Sequence, residues 1–356
     1  MRPIRMPSRF GARFAALAAA AGLASALAGA LPGATPARAA DLKMATIAPG
    51  SSAYLTMSTM ATIVNGEQDR HRITVDATGA ATKHQVEMAE GKLDLAMSSP
   101  TIYDFMKNQT AMYKKLDKAP ELSKNVNLMF WFPYGAYHVV TYADSGIESL
   151  ADLRGRKVFL GPPGGGAWNA SKQWIEAQTG LKVGEDFENF KASWSSAFQA
   201  FQDRQVDAYI VGGIPPFPQI EQLAATSKLR LLGPTKAEFD AQPEAQKKPT
   251  MVRGRMADII PAGIYGPNVV NDEDIVTLGS IVGVATRADM DADTIYDITR
   301  AFWEGAEKKR ASTPWLAPIT LDYAVRDGGM ALHPGAQRYY KEIGVAIPDG
   351  SMAMTN

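Results

Sequence analysis

From residue 42 onward, short apolar runs alternate with segments of helical spacing. This alternation constrains the chain more than any other feature, because it is the pattern of an α/β protein whose strands are largely parallel and joined through helices. Residues 42–47 read as a strand, followed by the loop Ala48-Pro49-Gly50-Ser51-Ser52 and a helix over 53–64. Strands over 73–77 and 93–97 flank a helix over about 82–90. The plan then repeats: a strand over 157–160, a tight loop over 161–166, a helix over 168–179, a helix over 194–201, and strands over 208–211 and 229–232. Two sheet-centred lobes are the simplest account. Past the apolar run 281–285, Ile295, Ile298, Phe302 and Ala306 recur at helical spacing, and a turn-rich stretch around Gly328, Gly329, Pro334 and Gly335 leads to a short terminal helix. Residues 234–248, rich in Ala, Gln, Glu and Lys, read as an exposed helix or linker. Periodicity does not say which lobe receives the last elements.

The segment before this alternation has a different character. Arg2, Arg5, Arg9, Arg13 and Arg38 occur in it without any acid, an apolar stretch covers 14–31, and Ala37-Arg38-Ala39 makes a small-residue exit. These are the three parts of a secretory signal cleaved after Ala39. An uncleaved anchor is the alternative, since the stretch approaches spanning length, but it is largely Ala and Gly and is followed by Pro32 and Pro36. The whole chain balances 37 cations against 37 acids; without the five arginines, 32 cations face 37 acids. Such a balance argues against a phosphate-neutralising nucleic-acid binder. With no cysteine, disulfide scaffolds, thiol enzymes, zinc ribbons, iron-sulfur proteins and a lipid-modified N-terminus are excluded. No later stretch reaches spanning length, since even 127–143 is interrupted by Pro133, Gly135 and His138. The expectation is an exported protein with no stable membrane insertion after cleavage.

The densest unusual feature is Gly161-Pro162-Pro163-Gly164-Gly165-Gly166-Ala167, between a strand and a helix that begins near Trp168. Consecutive glycines leave backbone N–H groups uncovered, and the helix start adds unpaired N–H groups and a positive dipole end, which together suit a carboxylate or phosphate. A tight turn that only packs the helix on the sheet is the other reading. It is not a nucleotide P-loop, because no Lys-Ser or Lys-Thr pair follows, and Asn169 occupies the last glycine position of a GxGxxG pattern. In the other lobe, Ser51 and Ser52 precede the first helix and have the chemistry of helix caps. The turn Thr78-Gly79-Ala80-Ala81-Thr82 offers further donors, with Lys83 and His84 just inside its helix. A cation near a helix start is poor dipole chemistry, so an anionic neighbour would help explain Lys83. Loops of this kind converge at one cleft in an open α/β sheet.

Catalysis has less support. His71, His84, His138 and His333 are scattered without metal-ligand spacing, no GxSxG elbow occurs, and the acids Asp272, Glu273 and Asp274 look like a solvated turn. We expect no catalytic residue, no metal and no cofactor. Among the aromatic residues near the loops, Tyr103, Trp131, Tyr134, Tyr137 and Trp194 are expected to be core or lobe-interface packing, while Tyr54 and Trp168 lie in first helical turns facing the candidate loops.

The run from His138 through Val139-Val140-Thr141-Tyr142-Ala143-Asp144-Ser145-Gly146-Ile147 and on through Ser149-Leu150-Ala151-Asp152-Leu153-Arg154-Gly155-Arg156-Lys157-Val158 into the glycine loop resembles the central signature of the TAXI family, the extracytoplasmic solute receptors of TRAP transporters. Ile260-Pro261-Ala262-Gly263-Ile264-Tyr265, Leu332-His333-Pro334-Gly335-Ala336 and Arg338-Tyr339-Tyr340 resemble later motifs of the same family. The resemblance, which spans 42–347, implies a two-lobed type II periplasmic binding protein. Its first lobe would comprise 40–141 and about 280–356, and its second 142–279, with a ligand cleft between them. It further implies a small carboxylate or amino-acid-like ligand, delivered to TRAP membrane permease subunits that run on a cation gradient.

Departures from the family pattern bear on the ligand. Ala48-Pro49-Gly50-Ser51-Ser52-Ala53-Tyr54 stands where relatives carry a GGTxGxxYY-like loop, Gly79-Ala80-Ala81 then Lys83 and His84 where they carry GGS, an acid and Asn, Pro163-Gly164-Gly165-Gly166-Ala167 for PGSGT, and Ser98-Ser99-Pro100 for Gln-x-Asp. On this basis the candidate ligand-binding residues are the N–H groups of Thr78, Gly79, Ala80 and Ala81 and of Gly164, Gly165, Gly166 and Ala167, with Ser51, Ser52, Ser98 and Ser99 as polar contacts, Tyr54 and Trp168 as walls, and Lys83 as a cation. A receptor serving an ABC permease or a sensor kinase, and an exported enzyme on the same scaffold, are the competing readings.

Overall fold

The structure, a computed structural model, describes residues 39–352; all but the last residue of the secretory segment expected over 1–39 lies outside the described residues. The chain opens with β1 (Ala40–Ala45), α1 (Ser52–Glu67), β2 (His71–Asp76), α2 (Ala81–Ala89), β3 (Leu95–Ser98), α3 (Pro100–Lys107) and α4 (Ala119–Ser123). It continues through β4 (Val126–Tyr142), β5 (Lys157–Phe159), α5 (Gly166–Thr179), β6 (Glu188–Asn189), α6 (Trp194–Gln202), β7 (Ala208–Gly213), α7 (Pro218–Ala224) and β8 (Leu229–Leu231). Two short helices, α8 (Lys236–Ala241) and α9 (Glu244–Lys247), lead to β9 (Arg255–Ile260), β10 (Ile275–Arg287), α10 (Ala292–Arg310), α11 (Leu321–Ala324) and α12 (Pro334–Glu342).

The strands join in the order β2-β1-β3-β10-β4-β7-β5-β6, with β8 on β4 and β9 on β10. The expected parallel pairing holds only toward the two ends, where β1 lies between β2 and β3 and β5 between β6 and β7. In the middle, β4 and β10 run antiparallel to every strand they pair with. These are the long strands, 17 and 13 residues, against a usual strand of about five or six. Each spends its length on two sets of partners. Residues 126–133 of β4 pair with β10 and residues 136–142 with β7 and β8. Residues 275–280 of β10 pair with β9, and residues 281–287 with β4 and β3.

The exchange of partners makes two lobes, and the sequence at the crossing explains it. Pro133 has no N–H to continue a ladder. Gly135 has φ +93°, and a Cβ there would lie 2.4 Å from the backbone of Gly213, so no other residue fits. These two residues interrupt the apolar pattern without ending the strand, which is why β4 does not show as one element in the sequence.

Helix α10 buries Ile295, Ile298, Phe302 and Ala306 as its period requires. The Asp291 carboxylate accepts the Thr294 N–H at 2.8 Å to cap its start, and Lys308, Lys309 and Arg310 occupy its last turn, each favourable to the helix dipole. It packs on α1, where Gly305 lets Ile63 approach, and its Phe302 stacks on Phe130 of β4 at 4.7 Å. The last helices therefore cover the sheet of β1 to β3. A second aromatic cluster, Phe159, Trp194, Phe201, Tyr209 and Phe217, fills one face of the other lobe.

Two buried histidines fasten this frame in the neutral state. His138 Nδ1–H donates to the Ala136 carbonyl at 3.0 Å, and Nε2 accepts the Tyr265 hydroxyl at 2.6 Å, whose oxygen in turn accepts the Phe217 N–H at 2.9 Å. His333 caps α12, with Nδ1 accepting the Gly335 N–H at 3.2 Å and Nε2–H donating to the Met290 carbonyl at 3.1 Å. In each ring one nitrogen must accept, so protonation breaks a bond. Burial, the main cause, lowers both to about 4 from an ordinary 6.5. The unfolded chain thus takes up these protons first as pH falls, and stability is lost between about pH 6.5 and 4. Each group contributes a slope of at most about 1.4 kcal/mol per pH unit. Urea midpoints measured from pH 7.5 to 4.5 should fall across that window. His138→Gln, which does not titrate, should remove a substantial part of the slope, whereas an unchanged slope would assign the acid sensitivity to other groups.

Candidate functional site

Three helix N-termini meet where the lobes face one another. The first belongs to α2. Asp76 Oδ1 accepts both the N–H and the hydroxyl of Thr78, at 3.0 and 2.7 Å, and folds the turn that carries Gly79 at φ +79°. Ala80 then takes the cap position with no side-chain acceptor to offer. The second belongs to α5, where Gly165 is the cap residue and also provides no side-chain bond. The N–H groups of Ala81 and Thr82 and of Gly166, Ala167 and Trp168 are left without an intrahelical acceptor, while the Lys83 N–H donates to the Ala80 carbonyl at 2.9 Å. The third, α3, is closed off, because the Ser99 hydroxyl oxygen accepts the Ile102 N–H at 3.0 Å.

These termini border a cavity of about 60 Å³, room for roughly four to six water-sized groups where one needs ~10–15 Å³. Its walls are mostly apolar: Ile47, Met97, Ile102, Trp194, Ile281 and Val282. The polar side chains are Ser99, Thr101, Tyr134 and a group formed by Tyr137, Ser280 and Arg255. Arg255 opens β9 opposite Ser280 in the ladder. It is 8% exposed, donates Nη1–H to Gln173 Oε1 at 2.6 Å, and has no carboxylate within ion-pair distance among the described residues. Burial lowers its pKa from the ordinary value. Burial raises that of the Tyr137 phenol, while neighbouring Arg255 and a hydrogen bond with Ser280 act the other way.

A buried cation without a counter-ion costs several kcal/mol. An anion about 4 Å from it would gain ~4 kcal/mol at an effective dielectric of 20, and the open ends of α2 and α5 add to the same positive field. The cavity therefore favours a small anion. Among the described residues, no group of three or more His, Asp or Glu is placed to hold a metal ion, and no helix is long and apolar enough to cross a membrane.

Of the residues singled out from sequence, Gly79, Ala80, Ala81, Ser99, Gly165, Gly166 and Ala167 line this cavity. The others do not, each for a visible reason. Ser51 caps α1 by accepting the Tyr54 N–H at 3.2 Å, and Tyr54 itself is half-buried away from the cavity. Ser52 donates its hydroxyl to the Tyr134 carbonyl, and Ser98 donates to Gln85 Oε1. Thr78 is spent on Asp76, and the Gly164 carbonyl accepts the Thr82 hydroxyl at 3.2 Å. Trp168 lies half-buried beside the core, one position beyond the lining residue Ala167. Lys83 is 72% exposed and pairs with Glu87 at 3.2 Å, so its partner is on its own helix and the cation expected of it comes from Arg255 instead. No local signal marks Arg255 among the chain's cations; only the pairing of β9 with β10 places it in the cavity.

A two-lobed α/β chain with an anion-favouring cavity between its lobes is the class that this geometry defines. The chain belongs to the NMT1-like family, whose pattern matches residues 44–344. Among solved structures it is similar to the alkanesulfonate-binding protein SsuA from Xanthomonas axonopodis pv. citri bound to MOPS, at 17% identity over 86% of this chain and 84% of that one, with a TM-score of 0.48. It is also similar to a TRAP periplasmic solute binding protein from Ralstonia eutropha H16 with bound (S)-2-acetolactate, at 12% identity over 86% of each chain and a TM-score of 0.44. A third likeness is to a TRAP periplasmic solute binding protein from Desulfovibrio salexigens in complex with diglycerolphosphate, at 15% identity over 87% of this chain and 86% of that one, with a TM-score of 0.44.

Arg255→Met should weaken binding of small carboxylates such as acetate or pyruvate by tenfold or more, given about 1.5–3 kcal/mol for a hydrogen bond to a charged group. The same change should raise the melting temperature of the empty protein, because it removes a buried unpaired charge. Lys83→Ala should leave affinity within about twofold, as expected of an exposed pair. Calorimetry and thermal denaturation of the two variants check all three outcomes.

Proposed function

We propose that this chain is the extracytoplasmic solute-binding subunit of a membrane transporter, capturing a small organic anion between its lobes and passing it to a permease. The observation that carries this reading is Arg255: a buried guanidinium without a carboxylate partner, lining a cavity bordered by two uncapped helix N-termini. Membership of the NMT1-like family is compatible with it, and the motifs around His138, Ile260 and Leu332 support a TAXI-type TRAP system as the transporter served. The basic, apolar and small-residue sequence that ends at Ala39 supports export to the periplasm by the general secretory route. Among the described residues no His, Asp or Glu lines the cavity, and burial raises the phenols of Tyr134 and Tyr137 away from neutral pH, which supports binding without turnover.

The lobe division we propose follows the exchange of strand partners. The first lobe runs to about Pro133 and resumes at Ile281, with the second between them. It does not change at Tyr142, because residues 136–140 already pair with β7. Two hydroxyls bridge the lobes directly: Thr82 donates to the Gly164 carbonyl at 3.2 Å, and Thr101 to the Arg253 carbonyl at 3.1 Å.

Protein unfolded in urea, dialysed and refolded free of solute should be stabilised against heat by small carboxylates and should contract on binding them, as small-angle scattering would register. Thr82→Val combined with Thr101→Val should expand the solute-free protein and lower affinity by about tenfold, each hydroxyl contributing ~0.5–1.5 kcal/mol to closure. A refolded protein that binds no small anion and keeps one radius of gyration throughout would falsify the receptor reading.

A further inference from the structure

The charges around the cavity point to what the ligand lacks as well as to what it carries. Among the described residues twenty line the cavity, and Arg255 is the only charged side chain of the twenty. A zwitterionic amino acid would bring an ammonium group into a space whose fixed charges are all positive: the guanidinium and the open N-terminal ends of α2 and α5. An ammonium needs acceptors and an opposite charge: the loop acceptors at hand are engaged, and the buried Tyr134 hydroxyl, kept neutral by burial, offers an oxygen but no charge. The Ser99 hydroxyl oxygen takes the Ile102 N–H, the Pro162 carbonyl takes the Gly165 N–H at 3.1 Å, and the Gly164 carbonyl takes the Thr82 hydroxyl.

Of the acids nearby, two are committed elsewhere and one faces an adjoining cavity. Asp76 holds the Thr78 turn, and Glu87 pairs with Lys83. Asp104 lies in an adjoining cavity that Thr101 and Arg255 also border, together with Arg253, and forms no ion pair with either arginine. Nor do the rings make a cation cage. Trp194 is packed edge-on with Phe159 at 5.4 Å, and Tyr137 already neighbours the Arg255 charge.

We infer that the site selects organic acids without a cationic group, taking simple, 2-oxo and 2-hydroxy acids of about four to six heavy atoms and rejecting the α-amino acids of the same carbon skeleton. This rests on the receptor reading above and narrows it, against the amino-acid-like solutes that the family resemblance implies. The carboxylate meets Arg255 and the open N–H groups, and the apolar wall of Ile47, Met97 and Ile281 holds the carbon skeleton.

The test is a paired titration of the refolded, solute-free protein by calorimetry: pyruvate and lactate against alanine, glyoxylate and glycolate against glycine. The oxo or hydroxy acid should bind about a hundredfold more tightly within each set, since like charges placed together cost several kcal/mol. An amino acid that binds as well as its oxo partner would overturn the inference and leave the receptor reading intact. Failure of both series, and of acetate and propionate, would overturn the receptor reading and the inference with it. Ser280→Asp, which puts a carboxylate opposite Arg255, should shrink the ratio by tenfold or more. A ratio unmoved in that variant, with anion binding itself weakened, would show that charge is not what discriminates.

Discussion

The antiparallel ladder between β4 and β10 is the constraint on which the rest of this molecule depends. Two short parallel sheets would each be a lobe of their own, joined by nothing but loops. Because β4 and β10 continue from one into the other, the lobes share two covalently continuous, hydrogen-bonded strands, and their relative movement is restricted to the places where partners change. At those places the ladder is interrupted chemically, by Pro133 with no N–H and by Gly135 in a conformation that only glycine enters readily. Ser280 and Ile281 stand at the matching point of β10, and both line the cavity. The hinge region and the floor of the site are therefore built from the same residues, so a group bound on that floor acts directly on the segment about which the lobes turn.

The electrostatics follow from this frame. A chain whose acids outnumber its cations by five, once the N-terminal arginines are set aside, exerts no long-range pull on anions. Attraction has to be local. It is supplied by Arg255 and by two helix ends whose caps are Ala80 and Gly165, residues with no side-chain acceptor, in contrast to the serines that cap α1, α3 and α6. A Ser at position 80 or 165 would satisfy one of those N–H groups internally and withdraw it from any ligand. The missing caps cost helix stability, and the buried guanidinium costs desolvation. Both penalties fall at one cavity, which is the distribution expected where stability is traded for binding.

How much of this was legible in the sequence depends on whether a feature is local. The open loops before α2 and α5 were visible, because glycine runs and the absence of a capping residue are matters of neighbouring positions, and six of the residues picked there border the cavity. The amphipathic spacing of α10 was visible for the same reason. Arg255 was not, since its placement comes from the pairing of β9 with the first half of β10, which no local pattern encodes. Lys83 illustrates the converse: it looked misplaced for the dipole, but Glu87 one turn later supplies the missing negative charge. Of the motifs that carried the family resemblance, the glycine loop borders the cavity, but the motif residues His138, Tyr265 and His333 are framework. His138 of one is bonded to Tyr265 of another at 2.6 Å, His333 of a third caps α12, and none of the three lines the cavity. Such residues report the frame well and the ligand hardly at all, and for that reason ligand chemistry has to be argued from the cavity itself.

The same geometry couples binding to closure. Arg255 and the α5 terminus belong to the lobe of β7, and the α2 terminus to the lobe of β1, so an anion held between them is attracted by both lobes at once. Without it, the two positive surfaces face each other across the cavity and repel, leaving Thr82 and Thr101 as the direct hydroxyl contacts between the lobes. Two neutral hydrogen bonds, worth about 0.5–1.5 kcal/mol each, are a weak latch against that repulsion and against the conformational entropy of the open state. On the proposed receptor reading, an anionic solute would change the sign of that interaction, since its one negative charge would be attracted by both lobes. Closure is then a consequence of differential affinity for the closed state, as any ligand-driven equilibrium requires. A neutral solute of the same shape would fill the cavity without reversing the repulsion, so in this frame the charge that confers selectivity is also the charge that closes the lobes.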